Sequence, residues 1–248
     1  MLSVTPNVYH FETVKDIEYF LKTNGIEWEV PNVTFAEALA ELAGRLCYES
    51  WNNSDNLNIT KIRKGNKEYI GNLKKQKHGS VLEHGGVVFL FYNVSRVFTH
   101  ELVRHRAGSA FSQTSGRYTR LADLKFWIPD VINDNPAAKS VFLDAIAQDE
   151  ENQRKLEAIF QEDLAGNFEK KKELTSAFRR ISPNGAANNI LWSTNHRALR
   201  HVIEQRCSEH AEVEIRVVFR KLADYCRQQW PNIYDDLRED YTFEHQKI

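Results

Sequence analysis

Residues 86–118 read GVVFLFYNVSRVFTHELVRHRAGSAFSQTSGRY, and the order of elements in this stretch governs how the rest of the chain is read. Val87 to Tyr92 is a run of β-branched, aromatic and aliphatic residues, which predicts a buried strand. Ser95 to His105 follows as a helix. Gly108 to Thr119 is rich in Ser, Gly, Gln and Thr, lacks apolar periodicity, and reads as a loop. The helix ends on three adjacent cationic side chains, Arg104, His105 and Arg106, which fan out around the chain. The loop behind them adds hydroxyls, an amide, glycines and Arg117, whose planar fork matches phosphate oxygens. Small residues there let backbone N–H groups approach an anion. The segment is a candidate nucleotide cradle.

Working outward, Thr34 to Trp51 predicts an amphipathic helix, with Phe35, Leu39, Leu42 and Leu46 at helical spacing. Asn52 to Lys67 reads as a polar surface loop and Leu73 to His84 as a polar lead-in. Asn135 to Phe168 reads as helical, as does Lys170 to Ile181, which stops before Pro183. Asn184 to Asn189 reads as a turn-rich connector. The last long element starts near Thr194 or Asn195, either a good N-cap, and runs toward Trp230 and Pro231. As one helix it would be roughly 50 Å long, so a break near Ser208 is expected. Its apolar stripe (Leu199, Val202, Ile203, Val213, Val217, Leu222) also carries Arg206 and His210. A guanidinium on a core-facing stripe needs a buried partner or a ligand.

Composition removes several function classes. With 42% hydrophobic and 27% charged residues over 248 positions, the chain has the make-up of a globular protein. No apolar run approaches the ~18–20 residues of a bilayer span. Met1 to Glu12 lacks a signal-peptide layout, so a cytoplasmic setting is expected and no membrane partner. The net charge of −1 gives no general attraction for nucleic acid. Between Arg96 and Arg120, however, five arginines and two histidines face one acid, Glu101. A local cluster of that kind suits a small phosphorylated ligand; charge alone leaves a solvated basic face open as well. Cys47, Cys207 and Cys226 are odd in number and widely spaced, which predicts reduced structural thiols.

Metal and hydrolytic chemistry find no support. His100-Glu101 to His105 has one residue more than the HExxH motif. Its histidines would stand ~140° apart around a helix rather than on one face, so no metal is expected. There is no Gly-x-Ser-x-Gly elbow, Walker loop or Rossmann fingerprint.

Three blocks carry a family likeness: His78 to His84 (HGSVLEH), Thr99 to Arg106 (THELVRHR) and Ser112 to Tyr118 (SQTSGRY). They resemble the flavin-dependent thymidylate synthases, whose mark is Arg-His-Arg, a spacer of seven or eight residues, and a Ser. The spacer here is Ala107 to Thr114, ending at Ser115. A second region agrees: Phe178 to Asn184, Asn195 to His201, and Glu204 to Ile215. The resemblance covers residues 78–120 and 174–230; the first 70 residues and 121–170 are compatible only in length and character.

That resemblance implies an α+β fold, a single domain over 1–248, with a mostly antiparallel sheet flanked by long helices and no Rossmann fold. It implies an enzyme, a methyltransferase that uses FAD, methylenetetrahydrofolate and NADPH to convert dUMP to dTMP. His84, Gly86, Arg104, His105, Arg106, Gln113, Asn195, His196, Arg197 and His201 would contact FAD. Glu101, Arg104, Gln113, Thr114, Ser115, Gly116, Arg117, Arg179 and Arg206 would hold the nucleotide. Arg206 and Ser115 are the expected catalytic pair. Arg206 would stabilise negative charge developing across N3 and O4 of uracil, which makes C5 nucleophilic. Ser115 would position the ring. Cys207 beside Arg206 reads as structural. The family is homotetrameric, with sites shared between subunits. The spacer is at the long end of the family range, with Ala110-Phe111 in the lengthened part. That leaves UMP, the substrate of antibiotic-pathway relatives, as an alternative, with Ser112, Gln113 or Thr114 available to a 2′-hydroxyl. A non-catalytic nucleotide- or RNA-binding module and a generic flavin reductase are the competing classes.

Overall fold

The computed structural model describes residues 6–53, 56–59, 61–116 and 125–245. Helices α1 (Val14–Thr23), α2 (Phe35–Tyr48) and α3 (Asn66–Lys75) come first. After a 3-10 turn at Gly79–Glu83 come β1 (Gly86–Ser95), α4 (Arg96–Leu102) and β2 (Ser109–Gln113). Next are α5 (Asp130–Asn133), α6 (Pro136–Ile159), α7 (Gln161–Ala165), α8 (Phe168–Phe178) and a 3-10 turn at Arg179–Ile181. Strand β3 (Ala187–Asn195), α9 (His196–Cys207), α10 (Val213–Gln229) and α11 (Pro231–Tyr234) complete the order. The fold is α+β with an antiparallel three-stranded sheet in the order β1-β3-β2, and it is not a Rossmann fold. Among the described residues, no helix is long and apolar enough to cross a membrane.

The chain resolves into two units: Met1–Val87 with Thr194–Glu209 and Phe219–Ile248, and Val88–Ser193 with His210–Val218. In the first unit α1 packs on α2 and α2 on α3. The core there gathers Ile17, Leu21, Trp28, Ala38, Leu42 and Trp51. Thr34 starts α2 through a capping box: its hydroxyl accepts from Glu37 N–H at 3.4 Å, and Glu37 Oε2 accepts from Thr34 N–H at 3.1 Å. Asn195 starts α9, its Oδ1 accepting from Ala198 N–H at 2.9 Å. Leu199, Val202, Ile203 and Cys207 form the buried face of α9.

In the second unit, alternation along β1 sends Phe89 and Phe91 to one face of the sheet. They meet Trp192 of β3 with ring centroids 6.1 and 6.2 Å away. Val88, Leu90 and Tyr92 stand on the opposite face and are 59–67% exposed. Asn93 has φ +58°, and its N–H donates to Asn189 Oδ1 at 2.9 Å. This bend breaks the alternation, so Val94 and Ser95 turn inward.

Several expected boundaries shift. The helix predicted over Asn135 to Phe168 is interrupted at Phe160, whose φ of −106° and ψ of 22° leave the helical range. The segment expected as a loop from Gly108 contains β2, and the connector expected at Asn184 to Asn189 already contains the start of β3. Asn66–Lys75 is helix α3, where the polar loop was expected to run to Lys67 and the lead-in to begin at Leu73, with nothing assigned between them. The expected break near Ser208 is present, between α9 and α10.

Candidate functional site

In the second unit, the Arg-His-Arg motif lies just past the end of α4, in a turn. His105 N–H donates to Leu102 O at 3.1 Å, Arg106 N–H to Arg104 O at 3.1 Å, and Ser109 N–H to Arg106 O at 3.2 Å. Gly108, at φ +65°, takes the left-handed conformation that lets this turn feed directly into β2. Arg104 and Arg106 are exposed and His105 is half-buried, as is Glu101 on α4. Along β2, Ser109, Phe111 and Gln113 share one side, with Ala110 and Ser112 on the other. Trp192 Nε1–H donates to Ser109 Oγ at 3.0 Å, which fixes the side that Gln113 takes. The spacer between motif and Ser115 is therefore a turn plus a paired strand, and Ala110-Phe111 sit within the strand.

Beyond β2 the same unit opens a cleft of about 660 Å³. It collects Thr114, Gly116 and Arg179 from the expected nucleotide set. Thr114 is held by its N–H, which donates to Asn189 O at 3.0 Å. Arg96, Lys125 and Arg180 also line it, and no Asp or Glu among the described residues does. All four cationic side chains are exposed. Glu101, Arg104, Gln113 and Ser115 are not among the lining residues. Arg117 lies outside the described residues.

The position of Arg96 rests on a buried carboxylate. Glu214 is 2% exposed and accepts from Ser95 N–H at 2.7 Å and from the Ser95 hydroxyl. Ser95 Oγ in turn accepts from Phe98 N–H at 3.1 Å, capping α4. Burial pushes the Glu214 carboxyl above its ordinary range, and the Ser95 hydrogen bonds partly oppose that. Arg96, Lys125 and Arg180 had no assigned role in the sequence. Arg96 counted there only toward the charge cluster; Arg180 adjoins an expected ligand, and Lys125 carried no signal.

The first unit places a second group of expected residues around the start of α9. His84 and Gly86 are exposed. A Cβ on Gly86 would meet nothing nearer than Thr194 O at 4.0 Å, so a flat group has access to this backbone. Arg197 and His201 lie four residues apart on the exposed side of α9, and Arg197 pairs with Glu83. Asn195 is occupied as the N-cap.

His196 is placed differently from its neighbours. It is 1% exposed, with Nδ1 3.0 Å from the Tyr234 hydroxyl and the Trp230 ring edge-on at 4.7 Å. Burial, helped by Arg200, pulls it down to about 4, so the ring is neutral at pH 7. A Cβ on Gly85 would stand 2.9 Å from its Cδ2. His196 N–H also donates to Gly85 O at 3.2 Å. Its side chain therefore braces the Gly85-Gly86 backbone from within. Arg206 is half-buried on α9, and Cys207 beside it is buried, with burial pushing the thiol up to about 12. A thiolate nucleophile at neutral pH is not available there.

A family model described as "Thymidylate synthase complementing protein" matches residues 30–232. A protein of Corynebacterium efficiens named "Flavin-dependent thymidylate synthase" is 35% identical over 206 residues, 82% of this chain and 80% of the relative. The protein of that name from Mycobacterium marinum is 36% identical over 214 residues, covering 85% and 81%. That from Mycobacterium tuberculosis is 37% identical over 208 residues, covering 81% and 79%.

Proposed function

The chain belongs to the family of the thymidylate synthase complementing protein, and from that membership we propose that it methylates C5 of a uridine monophosphate in a flavin-dependent reaction. The substrate is dUMP, the carbon donor methylenetetrahydrofolate and the reductant NADPH. The observation that carries the nucleotide part is the cleft in the second unit, where Arg179 stands beside hydroxyl and amide groups and, among the described residues, no carboxylate joins the lining. A phosphomonoester carries about −1.5 to −2 at pH 7, and a guanidinium such as Arg179 is its natural complement. Arg179 holds the phosphate with Thr114 and Gly116, joined by Arg117.

The residues also fit FAD. Exposed Arg104 and Arg106 stand on a glycine-containing turn suited to phosphates, and Gly86 leaves its backbone open to a flat ring. His84, Gly86, Asn195, Arg197 and His201 are the flavin contacts of the first unit, with His196 bracing them. Arg104, His105, Arg106 and Gln113 are those of the second. When bound, FAD supplies the hydride chemistry that completes the methyl group. The protein's own part is position and charge. Arg206 faces the uracil carbonyl and N3 and stabilises the negative charge that makes C5 nucleophilic. Ser115 orients the ring, and Glu101 and Gln113 hold the nucleoside. The chain works as one functional domain in a homotetramer with shared sites. The exposed apolar sheet face of Val88, Leu90, Tyr92 and Leu191 supports self-association.

The test is product analysis with FAD, NADPH and methylenetetrahydrofolate, offering dUMP and UMP together. Thymidylate is the expected product, and methylated UMP in excess would move the chain to the alternative substrate. Failure to take up a flavin would overturn the reading. Arg206→Ala should retain flavin absorbance and lose at least a hundredfold in methylation, on the order of 3 kcal/mol; a fully active variant would remove Arg206 from the mechanism.

A further inference from the structure

The charge in the second unit's cleft exceeds what one nucleotide requires. Arg96, Lys125, Arg179 and Arg180 bring four positive charges to a lining that, among the described residues, holds no carboxylate. A phosphomonoester neutralises about two of them. None of the four forms a salt bridge among the described residues, although cations elsewhere in the chain do. Glu169 and Glu173, which border Arg180 in an adjoining depression, are already paired with Lys172 and Lys170.

Arg96 carries a further sign of purpose. It is the first residue of α4, where a positive charge opposes the helix dipole. The buried Glu214–Ser95 contact nevertheless holds the helix start, and hence Arg96, at the cleft. Arg179 and Arg180, in contrast, follow the C-terminus of α8, where cations are favoured.

We propose that Arg96, Lys125 and Arg180 form a second anion subsite in this cleft, which takes a multiply charged group of a co-substrate while Arg179 serves the nucleotide phosphate. Two sources offer that chemistry: a γ-linked polycarboxylate tail on the folate donor, and the 2′-phosphate of the nicotinamide dinucleotide. The inference rests on the reading of Arg179 as the nucleotide's partner. No covalent step is involved, and the subsite contributes affinity and selection between co-substrates.

Titration calorimetry on the purified holoprotein tests it, using wild type and the double variant Arg96→Gln/Arg180→Gln. Both side chains are exposed, and circular dichroism checks that the variant is folded. The ligands are tetrahydrofolate with one or five glutamates, NADPH against NADH, and dUMP. We expect wild type to bind one member of a pair about tenfold tighter, a difference of about 1.4 kcal/mol. The variant should lose that preference while binding dUMP within about twofold. A lost preference for five glutamates identifies the carboxylate source, and a lost preference for NADPH the phosphate source. Unchanged preferences in both pairs overturn the subsite. So does a parallel fall in dUMP affinity, which would mean that all four cations serve one phosphate. Wild type that keeps the polyanion preference but fails to bind dUMP would instead remove the nucleotide reading and leave the subsite standing.

Discussion

In the first unit Arg200 is 3% exposed and grips Asp236 with two bonds of 2.7 Å, while Lys74 reaches the same carboxylate at 3.0 Å. Its guanidinium also donates to Ile233 O at 2.7 Å and lies 3.9 Å from the centre of the Phe243 ring. In the second unit Arg96, Arg179, Arg180 and Lys125 are exposed around a cleft lined by no carboxylate of the described residues. The chemical types match and the circumstances are opposite. Buried cations are matched one by one because an unmatched charge in the interior is very costly. Cations left unmatched at a cleft are available to an anion that the chain does not itself carry. Burial and pairing thus separate arginines that hold the fold from arginines left open to a ligand, a distinction invisible to composition.

The largest expected effect lies on the buried side. Asp236→Ala leaves Arg200 without its carboxylate and Lys74 with Asp235 alone. Urea denaturation should register a loss of about 3–5 kcal/mol, the range for an orphaned buried charge. A loss under about 1 kcal/mol would mean that water reaches this network, and the contrast between units would weaken.

Next in size is acid sensitivity of the first unit. His196 titrates near 4 in the fold and near 6.5 when unfolded. Below pH 6.5 the unfolded chain therefore binds the extra proton, and the stability present at neutral pH drains away as pH falls toward 4. Its full size is on the order of 3 kcal/mol. Asp236 adds a lower window. Burial opposes its ionisation, but Arg200 and Lys74 outweigh that and hold it at about 2. Its contribution, roughly 2 kcal/mol, is present above about 3.8 and lost as pH falls through 2. Denaturation midpoints measured from pH 7 to pH 4 should fall for wild type and lose most of that slope in His196→Phe. An unchanged slope would place the acid sensitivity elsewhere.

The same contrast accounts for how much was legible in the sequence. Helices α2 and α9 were readable because Thr34 and Asn195 are caps with local hydrogen bonds, and the break near Ser208 followed from length. Strand β2 was not, since Ser109 to Gln113 has one large apolar residue and is strand only through pairing with β3. The Asn188-Asn189 start of β3 looked like a turn for a related reason. Asn188 is buried, and Asn189 is engaged by the backbones of Asn93 and Thr114, contacts distant in sequence. Within the candidate site, Arg179 and Thr114 were found through motif resemblance. Lys125 was not, because a lone surface lysine becomes informative only when a cleft forms around it. The resemblance grouped His196 with its exposed neighbours, although helical geometry turns it inward and leaves Arg197 outside.

The smallest effect is the sharpest test of the division. Arg179→Ala removes an exposed guanidinium that no acid of the described residues pairs with, so unfolding free energy should stay within about 0.5 kcal/mol of wild type. Affinity for dUMP should fall about 10- to 30-fold, the ~1.4–2 kcal/mol of a charge-assisted hydrogen bond to phosphate. Deoxyuridine, which lacks the phosphate, should bind wild type and variant alike. Added salt should erode the wild-type advantage because an exposed charge pair is screened. If the variant instead lost stability while dUMP affinity held, Arg179 would belong with Arg200 among the arginines that hold the fold. The cleft would then have to find its phosphate partner in Arg96, Lys125 or Arg180.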